Sequence, residues 1–382
     1  MKQARVALVY DRVNTPHGGA EKVLLALHDI FPEAPLYTSV YHRDQARWAQ
    51  IFQVVPSFLQ RLPGADSAHR WLAPLMPLAF ESFDLDEYDI VISITSAEAK
   101  GVITKPHQLH ICYLLTPTRY LYSHHDEYLS SLPNLPGLKW VAARLLAYLR
   151  WWDESAAFRP DVYIPISQLV GERCGEFYHT EPDAVLYPPL ELDTNVQLQS
   201  PLTTLPDNYY LVVSRLVEYK RVDLAIQACQ ELGRNLVIVG VGPEENKLRA
   251  LATQNNKAKV TFLGSLSPSE LIDITNRATS LLMPGLEDFG ITALETVAQG
   301  TPAILHAQSG AAELLTDGKE AVFIDEATLS ALIDAIKRLE TISFNKRQMQ
   351  KKMQKYATTI FCETFQARVL HHWQRFQDER KV

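Results

Sequence analysis

The sequence lacks most of what would mark it for several common tasks. Its four cysteines, Cys112, Cys174, Cys229 and Cys362, are scattered over 382 residues without a CxxC pair or a repeated spacing. Neither a disulfide framework nor a thiolate zinc site is therefore expected, and free thiols suit a reducing compartment. No uninterrupted apolar stretch approaches the roughly 18 residues that a membrane span requires, and the short apolar run ending at Tyr10 is too brief for a secretory leader. A cytoplasmic location is the expectation. Long basic runs are also missing: 37 Lys and Arg face 44 Asp and Glu, for a net charge of −7. That excludes the broad positive face that nucleic-acid phosphates demand. No GxSxG, Walker A or HExxH motif occurs.

What is present is an ordinary globular composition, 47% hydrophobic and 21% charged, in a chain long enough for two domains. Short apolar runs alternate with segments of helical period. In the first half, residues 5–10, 88–95, 110–115 and 161–167 read as buried strands, and "GGAEKVLLALHDIF" reads as a helix whose apolar face is Val23, Leu24, Ala26, Leu27 and Ile30. In the second half, strands are expected at 209–214, 235–241, 259–264, 280–285, 302–307 and 321–325. Pro268 after Ser267 marks a helix start. The segment 188–207, rich in Pro, Thr and Asp, is the candidate boundary. Strand–helix alternation of this kind predicts α/β architecture: two doubly wound parallel sheets, with ligands beyond the C-terminal strand ends and in the cleft between domains.

Three post-strand loops carry candidate chemistry. In "GLEDFGITALE" (285–295), Glu287 follows a strand, Gly290 opens a helix whose first amides favour an anion, and Glu295 lies about one turn in, where it could take hydrogen bonds from ligand hydroxyls. The plain alternative makes Asp288 the helix cap and both glutamates solvated surface charges. In "RLVEYKRVD", Arg215 and Lys220 follow another strand and would neutralise a diphosphate, or else pair with Glu218 or Asp223. After the first strand, His17-Gly18-Gly19-Ala20 could bring backbone close to phosphate.

At these residues the chain resembles a known family. "SRLVEYKRVDLAI", "EDFGITALETVAQGTPAI" and "GGAEKVLLAL", with "CYLLTPTRYLY" and "VLYPPLELD", are similar to the retaining, GT-B-fold glycosyltransferases of family 4. The likeness points to the bacterial mannosyltransferase-like branch that builds cell-surface polysaccharides. The resemblance implies an acceptor-side domain over 1–195, a nucleotide-sugar donor domain over 196–360, and a helix at 361–382 crossing back to the first domain. It implies a hexosyltransferase-type enzyme moving a sugar from a nucleotide diphosphate to a glycan or lipid-linked acceptor, with no metal and no cofactor. By the same resemblance, Glu287 lies by the donor sugar and Arg215 and Lys220 hold the diphosphate. Glu295 binds the ribose, Phe289, Gly290 and Ile291 meet sugar and phosphate, and Gly18 and Gly19 close from the other domain. The family usually has a histidine where this chain has Leu115. That departure leaves a GDP-mannose-like donor, a 6-deoxy sugar or pentose, or a local rearrangement open. Asp11, Arg119 and Tyr120 follow strands of the acceptor-side domain and stand as candidate sugar or acceptor contacts. A nucleotide-sugar-binding protein without transfer, and a nucleotide-sugar 2-epimerase, are the alternative functions.

Weaker signals have simpler readings. "DLD" (84–86) precedes a strand and reads as a turn, "GVGP" (240–243) as a tight strand-to-helix turn, and "HHDE" (124–127) as a polar loop. In 138–152, Val141, Leu145, Tyr148, Leu149 and Trp152 share a helical face near Lys139, Arg144 and Arg150. Core packing is the default reading there, and peripheral contact with the inner face of a membrane is the alternative.

Overall fold

The computed structural model describes residues 4–16, 18–65, 69–123, 137–192, 205–255 and 257–380. The chain forms two compact units, Met1–Pro189 with Thr359–Val382, and Leu190–Thr358. The expected boundary at 195/196 falls among residues outside the described set, as does the 124–127 loop.

In the first unit, β1 (Val6–Tyr10), β2 (Leu36–Thr38), β3 (Val54–Pro56), β4 (Ile90–Thr95), β5 (Leu109–Leu114) and β6 (Val162–Pro165) form one parallel sheet in the order β3-β2-β1-β4-β5-β6. Every residue of β4 and β5 is buried, as continuous apolar strands covered on both faces must be. The strands β2 and β3 were not expected from the sequence. Each has three residues, too few for a run or a period to stand out, and β3 ends in a proline tolerated at the sheet edge. Helix Gly19–Ile30 buries Val23, Leu24, Ala26 and Leu27 as expected, and Glu21 with them.

The helix Thr358–Asp378 belongs almost wholly to this first unit. Phe361 and Phe365 set their rings edge-on to Tyr113 at 5.8 and 5.9 Å. Farther along, Arg368 Nη2 donates to the Val185 carbonyl at 3.1 Å and His372 meets Asp183 at 3.0 Å.

The face expected of helix Leu138–Ala156 is corrected in part by the structure: Leu149 and Trp152 are buried as expected, Val141 and Tyr148 are not. Leu146, Leu149, Trp152, Asp153 and Ala156 point inward, while Trp140, Val141, Tyr148 and Trp151 are exposed. The buried arc is thus rotated past the predicted stripe, because it is pinned by a charged residue: Asp153 forms a buried ion pair with Lys100.

In the second unit, β7 (Tyr209–Val213), β8 (Asn235–Val239), β9 (Val260–Gly264), β10 (Ser280–Met283), β11 (Ala303–His306) and β12 (Ala321–Ile324) form a parallel sheet ordered β12-β11-β10-β7-β8-β9. Its core joins Tyr210, Ile226, Leu236, Ile304 and Ile336. Ser267 and Glu270 close a reciprocal capping box on helix Pro268–Arg277. Both sheets follow the doubly wound order in which the first and fourth strands are neighbours. The strand order therefore reverses between β1 and β4 in one unit and between β7 and β10 in the other. Crevices at such reversal points are where open α/β sheets bind ligands.

Candidate functional site

The reversal point of the second unit gathers the residues the sequence singled out. After β7 the chain runs through Arg215 to a 3-10 turn, Glu218–Lys220, then Arg221 in a left-handed conformation (φ 54°), which starts helix Val222–Leu232. Arg221 is held there by Asp223 at 3.2 Å and the Ala327 carbonyl at 3.1 Å. After β10, Gly285 presses backbone against this loop: a Cβ there would lie 2.2 Å from the Tyr219 carbonyl oxygen and 2.9 Å from Lys220 Cα. Only glycine allows that approach. Gly285→Ala is expected to cost about 1–3 kcal/mol of stability through overpacking, read as a thermal midpoint several degrees lower; a midpoint equal to wild type would show that the loops part easily.

Glu287 is fixed from three directions. Its amide donates to Ser309 Oγ at 3.0 Å, its carbonyl accepts from the Gly310 amide at 3.2 Å, and its buried carboxylate is ion-paired to Lys220. The Phe289 carbonyl accepts from the Ala311 amide at 2.6 Å, so the loop after β10 is stapled to the turn after β11. Gly290 (φ 89°) then stands at the N-cap of helix Ile291–Ala298 and has no side chain with which to cap it. Asp288 is not the cap. Ile291 is half-buried at the helix start, and Glu295 lies half-buried one turn in. Arg215 is exposed, with no ion pair or side-chain hydrogen bond among the described residues. Lys220 pairs with Glu287, and not with Glu218 or Asp223 as the alternative reading had it. The assembly is one exposed cation, one cation resting on a buried carboxylate, and a helix N-terminus opened by glycine, an arrangement that would suit an anion beside a carboxylate.

The remaining candidates lie in the first unit, around its own reversal point. Asp11 has both oxygens engaged, by Thr95 Oγ1 (2.7 Å), the Ser96 amide (2.7 Å) and the Ala99 amide (2.8 Å), so it ties the loop after β1 to the loop after β4. Gly18 is extended and caps the first helix, with Gly19 its first residue. The Glu21 carboxylate folds back to that end, 2.9 Å from where a Gly18 Cβ would stand, and accepts from Tyr10 Oη (2.9 Å) and Thr15 Oγ1 (3.2 Å). This helix N-terminus therefore already has an anion beside it. Leu115 is half-buried after β5, its amide on the Thr95 carbonyl at 2.8 Å. Arg119 and Tyr120 follow it, and Tyr120 Oη donates to Glu98 at 2.6 Å.

Sequence reasoning missed Glu98, Arg12, Ser309 and the Lys100–Asp153 pair. Glu98 is buried, with Arg12 at 3.9 Å and one carboxylate oxygen without a hydrogen-bond partner among the described residues. Burial pushes its carboxyl above the ordinary range, against the pull of Arg12. Position was the available signal: Arg12 and Glu98 each follow a strand as Asp11 does.

Comparison with known proteins places the fold in a class. Structures with the same fold include the lipopolysaccharide outer core galactosyltransferase WaaB in its apo form (TM-score 0.61, 17% identity, 96% of this chain and 99% of that one). Another is Anabaena Alr3699/HepE in complex with UDP and glucose (TM-score 0.66, 16% identity, 97% and 100%). The fold is GT-B, that of a large class of glycosyltransferases. Residues 194–359, nearly the whole second unit, match the sequence model of the family described as Glycosyl transferases group 1. The putative colanic acid biosynthesis glycosyltransferase WcaL of Salmonella typhimurium is 28% identical over 191 residues, 46% of each chain. The curated relatives are matched over only part of their length, 44% and 46% for two of them. Among the described residues, no helix is long and apolar enough to cross a membrane.

Proposed function

We propose that the chain is a retaining, metal-independent glycosyltransferase that moves a sugar from a nucleoside diphosphate to a glycan or lipid-linked acceptor. The observation that carries this reading is the Lys220–Glu287 pair, pinned by Ser309 beside the glycine-opened N-terminus of helix Ile291–Ala298 at the β7/β10 reversal point. Supporting it are the family match over the same unit and the fold shared with Alr3699/HepE in its complex with UDP and glucose.

In this reading Arg215, Lys220 and the amides at Gly290 and Ile291 take up the charge that grows on the departing diphosphate. Lys220 exchanges part of its hold on Glu287 for phosphate oxygen, which leaves the carboxylate facing the donor sugar. Glu295 accepts from the ribose hydroxyls. The acceptor hydroxyl attacks from the face the diphosphate leaves, and the leaving phosphate oxygen takes its proton. The first unit supplies the acceptor side through the loops after β1, β4 and β5. A GDP-mannose-type donor is the family default, and Leu115 in place of histidine weakens it relative to a donor lacking the C6 hydroxyl, because leucine cannot hydrogen bond that group.

A thermal-shift titration with GDP, UDP, dTDP and ADP tests the donor site and names the base. A nucleotide at 100 times its dissociation constant stabilises the fold by about 2.7 kcal/mol, and Glu295→Ala should lose most of that shift. If none of the four moves the midpoint, or the variant responds as wild type does, the assignment of the loops to a nucleotide fails.

A further inference from the structure

The outward side of helix Leu138–Ala156 carries large hydrophobic residues in water. Trp140 is 65% exposed, Val141 56%, Tyr148 45% and Trp151 65%, and Phe158 just beyond the helix is 70% exposed. On a helical wheel Trp140, Arg144, Ala147, Tyr148 and Trp151 form one stripe, opposite the buried Leu146, Leu149, Asp153 and Ala156. The stripe is therefore not a core face left uncovered, because the helix already has a complete inner face. Two exposed tryptophans and a tyrosine on one stripe are costly to leave in water.

The charges around the stripe select its partner. Arg144 lies over the Trp140 ring at 5.4 Å, and Lys139 and Arg150 are exposed beside it. The one exposed carboxylate of the helix, Glu154, bonds Arg150 at 3.0 Å. This face is cationic on a chain whose net charge is −7. A second copy would bring like charges together. An acidic protein patch would satisfy the cations and leave the indoles unused. A bilayer surface of anionic lipid accepts both at one depth, with indole and phenol rings at the headgroup level and guanidinium groups on the phosphates. Beside the stripe, a groove of about 510 Å3 is lined by the rings of Trp151, Phe158, Phe177 and Tyr178 together with the polar Glu154, Ser155 and His179.

We infer that this helix face, through Trp140, Arg144, Tyr148 and Trp151, docks the protein flat on an anionic membrane surface without spanning it. The inference stands apart from the donor-site reading, since it requires no nucleotide.

Co-sedimentation with vesicles made from equal parts phosphatidylglycerol and phosphatidylcholine, against pure phosphatidylcholine, tests it on the whole chain. Binding to the anionic vesicles, a blue shift of tryptophan emission, and weakening in high salt are expected. Trp140→Ser with Trp151→Ser should lower the partition coefficient at least about tenfold, and Arg144→Gln should weaken anionic binding by several-fold. Both sets of residues are exposed, and an unchanged thermal midpoint with an unchanged nucleotide shift shows that the fold and the other site are intact. No binding to either vesicle overturns the proposal. Binding that survives the tryptophan substitutions also overturns it, since another surface is then responsible. A concentration-dependent dimer abolished by those substitutions, without vesicle binding, assigns the face to a second copy and overturns it as well.

Discussion

Arg215→Ala is expected to slow sugar transfer by about 10²–10³ in kcat, the usual loss when one preorganised donor to a developing charge is removed. The expectation is specific because of where the side chain stands. Arg215 is exposed and makes no ion pair or side-chain hydrogen bond among the described residues, so its removal breaks nothing that holds the fold. The thermal midpoint without ligand should stay at the wild-type value. Lys220 could not be tested so cleanly, because its loss strands the buried Glu287 carboxylate. The measurement is kcat with the donor whose nucleotide the titration selects. Near-wild-type turnover by the folded variant would remove Arg215 from the site.

Lys100→Met is expected to have the largest effect on stability. Lys100 is wholly buried and ion-paired to Asp153, itself 1% exposed; its ammonium also donates to the Ala97 carbonyl at 2.9 Å. Thr118 Oγ1 and Tyr122 Oη donate to the same carboxylate at 3.0 and 3.1 Å. Methionine fills a similar volume but leaves Asp153 charged in the interior without its counterion, at a cost of about 3–5 kcal/mol. Replacing both residues, with Asp153→Leu added, should recover part of the loss, because no unpaired charge then remains. A calorimetric scan reads both variants. A single variant within about 1 kcal/mol of wild type would mean that Asp153 finds another way to be neutralised.

The two units were unequally legible in the sequence. All six strands of the second unit were foreseen, because each is a compact apolar run between turn residues, such as "SLLM" before Pro284-Gly285. The second and third strands of the first unit were not, since three residues show no period. Charged residues hid their roles most completely. Glu98, Lys100 and Asp153 read as solvated in a one-dimensional sequence, and each is buried where a partner distant in sequence meets it, 22 positions away for Glu98 and Tyr120 and 53 for Lys100 and Asp153. The loops after β7 and β10 could be picked out because a post-strand position is visible in sequence. The ion pair between Lys220 and Glu287 could not, because adjacency of β7 and β10 is a property of strand order, and nearer carboxylates looked equally suitable. For the helix at 138–156 the period was right and the facing only partly so. Leu149 and Trp152 are buried as expected, whereas Val141 and Tyr148 are exposed, because the buried Asp153 turns the inner arc away from them.

The division of the chain has a consequence for synthesis. The second unit is continuous, Leu190–Thr358, whereas the first closes only with the segment from Thr359 onward. Phe361, Phe365 and Val369 are each at most 3% exposed in that unit, and two of them cover Tyr113. A ribosome moving at about 5–20 residues per second therefore releases the first-made sheet with its Tyr113 side uncovered. All of Leu190–Thr358, about 170 further residues, must be made before its cover emerges, and the second unit can fold in the meantime. Unit order in the gene and order of completion are thus reversed. The early half is the one that a chaperone, or a pause in translation, would have to protect.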